Sequence, residues 1–275
     1  MAPRFPLLLV ACSICFAESQ PFGKAADSDF LRSARIVAEK NLSLGITNSK
    51  RLTLTDGQRT HDAHLQSIDE AKHEFQGQRG TELNFKDCWK FNIAAYELAE
   101  MLGIDFMVPL SIERNVHGAS SSVTWWIDDV MMDEAQRMKK RTQPPNLSEW
   151  NQQMWLLRVF DQLIHNTDRN LQNLVIDKDW GIWMIDHTRA FRISRDLHSP
   201  QNLQKCDRTL LAKMKALNEQ NLTARLNRYC TRDEIRGILA RRDKIVAAFA
   251  SKGESALYDI APALTQRTTL ARASN

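Results

Sequence analysis

Glycine is scarce in this chain, 10 in 275 residues, and no G-x-G-x-x-G run occurs. Gly45 and Gly57 alone are too few to build a loop that turns successive backbone N–H groups onto a phosphate. Cysteine is also short. After Cys12 and Cys15 only Cys88, Cys206 and Cys230 remain. Beyond the leader, an odd count at wide spacing is not a disulfide framework, and no C-x-x-C occurs after Cys12-Ser13-Ile14-Cys15, which argues against structural zinc. Cys206 and Cys230 could pair in an exported chain; otherwise all three are buried free thiols. Internal repeats are absent. The net charge is only +4, too mild for a nucleic-acid surface and compatible with phosphate-bearing ligands. What is present is ordinary: 43% apolar and 25% charged residues, enough chain for one large domain or two small lobes.

The N-terminus differs from the rest. Arg4 precedes an apolar run from Phe5 to Ala17, interrupted only by Pro6, Cys12, Ser13 and Cys15. That run is too short to cross a bilayer and has the proportions of a secretory signal peptide. Residues 1–17 are therefore expected to be a leader that exports the chain, with an unprocessed cytoplasmic protein as the alternative. Leu9-Val10-Ala11-Cys12 resembles a bacterial lipobox, which implies a lipid on Cys12 and the one membrane attachment the sequence suggests.

Residues 18–44 read as a linker with one short helix over 29–41. Arg51-Leu52-Thr53-Leu54, then Thr55-Asp56-Gly57, then 59–68 form a hairpin signal, with Asp-Gly at the turn. Residues 69–88 are charged and lack periodicity, and read as a loop. Asp87 opens a helix to Leu102, striped by Trp89, Ile93, Ala94, Tyr96, Leu98 and Leu102 and closed by Gly103. Strands over 108–113 and 123–127 follow, the first an edge strand because of Pro109. Residues 129–147, with Lys139-Lys140-Arg141 and Pro144-Pro145, suit a linker or short helix whose charge is a solvated face. Helices are expected over 206–217 and 222–228. Thr231-x-x-Glu234 is a capping box opening a last helix to about Phe249. The tail over 259–275 is expected to be disordered.

The strongest signal lies at 155–192. An apolar helix carrying Met154, Leu157, Val159, Phe160, Leu163 and Ile164 stops at His165-Asn166-Thr167. A polar run, Asp168 to Asn173, leads into Leu174-Val175-Ile176 and Ile182-Trp183-Met184-Ile185. These flank the turn Asp177-Lys178-Asp179-Trp180-Gly181, and the second ends in Asp186. A hairpin brings its strand ends side by side, so Asn173 and Asp186 should lie close, near Asp168. Such an oxygen-rich edge suits a hard cation such as Mg2+ completed by substrate phosphates.

Asp168 and Asn173 have the D-x-x-x-x-N spacing of the protein-kinase catalytic loop, with Asp186 thirteen residues further on. The wording Asp168-Arg169-Asn170-x-x-Asn173, then Met184-Ile185-Asp186, resembles the phosphatidylinositol 3-/4-kinase-like and secreted, atypical branches of the protein kinase-like superfamily. The resemblance spans about 45–250, and its specific motifs sit in this core. It implies an α+β, two-lobed kinase-like fold, with a small β-rich N-lobe (45–128) and a mainly helical C-lobe (129–258). It implies ATP and Mg2+ as ligands, Asp168 orienting or deprotonating the acceptor hydroxyl, Asn173 and Asp186 holding the metal, and Arg169 steadying the loop or meeting phosphate.

The chain departs from that pattern where the kinase lysine and its glutamate should stand. If Ala63-His64-Leu65-Gln66 is the third-strand motif, the lysine slot holds Gln66 and the glutamate slot Asn92. Lys72 or Lys50 are the candidate substitutes, with Glu97 as partner. Trp126 falls near the expected hinge and is assigned to the adenine. His187 or Arg189 could compensate charge near the metal. The reading is thus an ATP-dependent phosphotransferase with an unknown hydroxyl acceptor. Alternatives are a pseudokinase or nucleotide-binding interaction protein, nucleotidyl transfer, and, against the lack of a His cluster, a metal-assisted hydrolase.

Overall fold

The computed structural model of the chain describes residues 24–42, 49–77 and 80–266. The leader with Cys12, Gly45 and residues 267–275 lie outside these.

The first half is rich in strands. Helix α1 (Lys24–Ser33) and strand β1 (Arg35–Asn41) precede β2 (Lys50–Thr55) and β3 (Thr60–Gln66). The expected helix over 29–41 thus ends at Ser33. Ile36 and Val37 favour extended backbone, and β1 pairs antiparallel with β2, Arg35 facing Thr55. The Asp-Gly hairpin forms as expected, with Leu52 opposite Ala63.

Residues 69–88 are a second correction. They form not a loop but an antiparallel hairpin, β4 (Asp69–Gly77) and β5 (Gly80–Cys88), with Lys72 opposite Phe85. Both of its faces are largely charged, so no period-2 apolar pattern marks it. Its apolar anchor is the Phe75–Phe85 stack, centroids 4.2 Å apart. Helix α2 (Lys90–Leu102) starts three residues later than expected, because Asp87 belongs to β5. Phe91, Ala94, Ala95, Leu98, Ala99 and Leu102 fall at helical spacing and are all buried, each large side chain contributing roughly 1.5–3 kcal/mol. Gly103 ends the helix at φ 72°, the left-handed cap that lets Ile104 N–H donate back to Ala99 O at 2.9 Å.

Strands β6 (Ser111–Val116) and β7 (Ala119–Trp125) turn on His117-Gly118 and complete a five-stranded antiparallel sheet ordered β1-β2-β3-β7-β6. β6 is its edge. Helices α1 and α2 pack on β6 and β7, and Leu52, Leu54, Ala63, Val123 and Ile112 are buried in the core they share.

The expected linker over 129–147 contains a strand as well as a helix: β8 (Val130–Asp133) and α3 (Glu134–Lys140), which Asp133 caps by accepting Gln136 N–H at 2.7 Å. Then come α4 (Leu147–Ile164), β9 (Leu174–Asp177) and β10 (Ile182–Met184); β9 is central in the sheet β10-β9-β8. Strand β11 (Cys206–Asp207), helices α5 (Arg208–Ala216), α6 (Glu219–Leu226) and α7 (Arg232–Lys252) and strand β12 (Leu257–Tyr258) complete the chain. The capping box closes as expected: Glu234 N–H donates to Thr231 Oγ1 and Thr231 N–H to Glu234 Oε2 at 2.7 Å.

Cys88, Cys206 and Cys230 are free and buried, and burial pushes the Cys88 and Cys206 thiols up to about 12. The expected disorder from 259 is corrected over its first part: residues 262–266 are helical and Leu264 is buried. No helix among the described residues is long and apolar enough to cross a membrane. The class is α+β, strand-rich in its first half and mainly helical in its second.

Candidate active site

The site is built from the C-terminal end of α4. Leu156, Leu157, Val159, Phe160, Leu163 and Ile164 bury this helix in the core. It stops at His165, whose left-handed backbone (φ 51°) lets the next amide, Asn166 N–H, return to Asp161 O at 2.9 Å. Buried Asn166 then accepts Asp168 N–H on its Oδ1 at 3.1 Å, fixing where the loop leaves the helix. Asn170 plays the same part further along, accepting Gln172 N–H and Asn173 N–H on one oxygen.

Arg169 staples this loop to the hairpin. Its Nε donates to Asp161 at 3.1 Å, its Nη1 to Ile185 O at 2.6 Å and to Asn173 O at 3.3 Å. Asp161 is buried and Arg169 nearly so, with side-chain exposures of 8% and 9%. These bonds tie the loop to α4 and to the hairpin. The hairpin itself turns as the sequence suggests. Asp177 accepts Asp179 N–H, Gly181 N–H and Trp183 Nε1–H, and Ile176 pairs with Ile182.

Asn173 and Asp186 accordingly meet at the open end of this hairpin: Ile185 N–H donates to Asn173 O at 3.1 Å. Asp186 is exposed and has a left-handed backbone, φ 55°, an uncommon state for a non-glycine residue that concentrates at functional sites. Its Oδ1 accepts the Thr188 hydroxyl at 2.9 Å. Among the described residues its Oδ2 and the Asn173 side chain carry no hydrogen bond. Asp168 stands on the same loop, 44% exposed, with Arg189 Nη1 at 3.6 Å. No group of three His, Cys, Asp or Glu suited to a metal occurs among the described residues. One carboxylate and one amide oxygen therefore remain as donors, a hard and incomplete set. It fits Mg2+, which keeps several waters and takes phosphate oxygens.

The expected Gln66–Asn92 pairing is found. Asn92 Nδ2 donates to Gln66 Oε1 at 2.9 Å and to Ser122 Oγ at 3.2 Å, and Asn92 Oδ1 accepts His187 N–H at 2.9 Å. One amide thus links β3, α2 and the residue after Asp186. The buried His187 ring is not at the metal edge. Burial, with Arg169 nearby, drives its pKa well down and keeps it neutral.

Lys72 and Lys50 are not brought to this pair. Lys72 is half-exposed and pairs with Glu70 at 3.1 Å; Lys50 pairs with Glu39 at 3.0 Å. Glu97 bonds Arg225, and burial raises its pKa. The lysine–glutamate substitutes considered in the sequence therefore have other partners. Trp126 follows β7 with its ring 4.4 Å from the Arg51 guanidinium.

Two residues escaped the sequence reading. His64 lies two positions before Gln66, hence on the same face of β3. Burial lowers its pKa while the Asp186 carboxylate opposes, so it lies within electrostatic reach of that acid. The period-2 relation to Gln66 was the available signal. Asp87, 4% exposed, accepts Arg189 Nε–H at 3.2 Å, and nothing local in sequence marks it.

No family model matches the chain, and no curated protein matches it. Among solved structures it is similar to the proinflammatory kinase CtkA of Helicobacter pylori. The two share 8% sequence identity at a TM-score of 0.49, over 88% of this chain and 97% of that chain.

Proposed function

We propose that the chain is an atypical kinase, an ATP- and Mg2+-dependent phosphotransferase acting on a hydroxyl acceptor. The observation that carries this is the meeting of Asn173 and Asp186 at one hairpin end, held by Arg169, with half-exposed Asp168 on the same loop. Asp168 orients the acceptor hydroxyl and takes its proton. The acceptor oxygen bonds to the γ-phosphorus, the bond from that phosphorus to the β–γ bridging oxygen breaks, and ADP leaves. Asn173 and Asp186 would hold Mg2+, which supplies charge neutralisation on the phosphates when bound. His64 shares a β3 face with Gln66 and lies within electrostatic reach of Asp186, and the nucleotide would lie on that side of β3.

A second reading rests on the Gln66–Asn92 bond. That pair is neutral and offers no cation to the phosphates, which favours a pseudokinase or nucleotide-binding interaction protein.

Calorimetric titration of the full chain with ATP, with and without Mg2+, separates the readings. Under the first, binding requires Mg2+ and is lost in Asp186→Ala, and Asp168→Asn binds normally but slows transfer by about 10²–10⁴-fold. Binding indifferent to Mg2+ and to Asp186 supports the second. Absence of nucleotide binding overturns the first reading and the nucleotide-binding form of the second.

A further inference from the structure

The β4–β5 hairpin stands between β3 and α2 in sequence, yet among the described residues its strands pair only with each other. Its side contacts reach across to the segment that follows Asp186. Cys88 N–H donates to Thr188 O at 2.9 Å and Arg192 Nη1 to Lys86 O at 2.7 Å. Arg192 Nη2 lies 2.6 Å from Glu82, and Lys86 Nζ donates to Glu234 on α7 at 2.7 Å. Buried Phe85 underlies two guanidinium groups, Arg189 at 4.9 Å and Arg192 at 5.5 Å from its ring centroid.

Asp87 lies at the foot of this hairpin. Its Oδ2 accepts Arg189 Nε–H at 3.2 Å, while its buried Oδ1 has no hydrogen-bond partner. A carboxylate withdrawn from water depends on its cation, and removing either leaves an uncompensated charge. The same Arg189 presents Nη1 to Asp168 Oδ2 at 3.6 Å. A guanidinium is planar and rigid, so fixing one edge on Asp87 and its face on Phe85 fixes where the other edge points.

We propose that Arg189 is a positioning residue for Asp168, held by Asp87, so that the β4–β5 hairpin aims the proton acceptor. This rests on the reading of Asp168 as the base. A carboxylate that is 44% exposed has rotamers open to it in solvent. A fixed cation beside Asp168 Oδ2 selects among them and so sets the direction in which the carboxylate meets the hydroxyl. Lysine would keep the charge but lose the fork, so it would serve either Asp87 or Asp168 with the wrong geometry.

The test uses Arg189→Gln, Arg189→Lys and Asp87→Asn in the full chain, with two readouts. In nucleotide-free protein, amide hydrogen exchange over 166–173 should quicken in Arg189→Gln and Asp87→Asn and less in Arg189→Lys. In transfer assays kcat should fall about ten- to a hundredfold in Arg189→Gln, with KM for ATP unchanged and partial recovery in Arg189→Lys. Unchanged exchange over 166–173, or a raised KM for ATP at constant kcat, overturns the inference. Should Asp87→Asn fail to fold, the two Arg189 variants decide. If the wild type binds Mg2+-ATP but transfers nothing, the base assignment to Asp168 falls. The exchange readout still decides whether the hairpin positions the loop.

Discussion

Asn92 and Gln66 are bonded side chain to side chain, Nδ2 to Oε1 at 2.9 Å, and the same Asn92 takes the His187 N–H on its oxygen. All three groups are buried. Asn92→Leu keeps roughly the volume but removes the donor to Gln66 Oε1 and the acceptor of the buried His187 N–H. It should cost about 1–3 kcal/mol in urea unfolding. Gln66→Lys alone buries an ammonium beside a neutral amide, whereas Gln66→Lys with Asn92→Glu supplies the counter-charge. The double variant should be more stable than Gln66→Lys alone, a coupling that a double-mutant cycle reads directly.

Arg169 and Asp161 form an ion pair at 3.1 Å with less than a tenth of either side chain exposed. Arg169→Met removes the cation, leaves Asp161 charged in the interior, and frees the Ile185 and Asn173 carbonyls. The expected loss is about 3–5 kcal/mol. Replacing both partners, Arg169→Met with Asp161→Leu, should recover part of that stability but not the Mg2+-dependent nucleotide binding proposed above, because the hairpin end is no longer stapled. Calorimetry and urea unfolding on the same samples would check both halves.

Acid should weaken the fold through a histidine cluster beside the loop over 166–173. Burial, then Arg241 and His198, bring His165 down to about 4. Burial also lowers His198, with Asp161 pulling the other way. His165 Nδ1 bonds Asp196 O, and Arg192 adds a further nearby cation. Both rings are neutral when folded, but in the unfolded chain they take protons near about 6.5. The unfolded state therefore binds more protons below that value, and stability falls from about pH 6.5 toward about 4. Urea midpoints at about pH 7 and 5 should show the drop. His165→Gln/His198→Gln should flatten it, apart from the shares due to His187 and His64.

Gly237 lies inside α7, where alanine ordinarily gains about 1 kcal/mol. Here the sign reverses. A Cβ would stand 2.8 Å from Arg241 Nη1 and 3.0 Å from the Arg192 carbonyl. Arg241 cannot yield, being fully buried and bonded to the Leu163 and Arg192 carbonyls. Gly237→Ala should lose about 1–3 kcal/mol, measurable as a lower melting temperature.

The parts of the site that were legible share one property: they are local. Asp168, Asn173 and Asp186 lie on one helix–loop–hairpin unit, so chain spacing alone places them together. Thr231 and Glu234 are legible for the same reason. Gln66 and Asn92 could be paired only by counting along a strand and a helix, and that count held. Residues 69–88 were not legible, because a hairpin whose outer faces are charged shows no apolar alternation; Phe75 and Phe85 alone carry it. Strand β1 was hidden by helix-favouring neighbours until β2 paired with it. Asp87, Arg189 and His64 depend on contacts between distant segments. Lys72 and Lys50 looked available only while Glu70 and Glu39 were unplaced.

The end of the chain bears on the site in time as well as in space. Leu257–Tyr258 pairs in parallel with Cys206–Asp207, Ile260 N–H donates to Asp207, and Ala261 N–H and the Tyr258 hydroxyl both donate to Gln152 on α4. The helix that delivers Asp168 is thus buttressed by residues made some ninety positions later. In synthesis every candidate site residue has been made by Arg189, but the bonds to Gln152 on α4 form only when Tyr258 and Ala261 arrive, so a chain interrupted before them would carry a complete set of site residues on a helix without that brace.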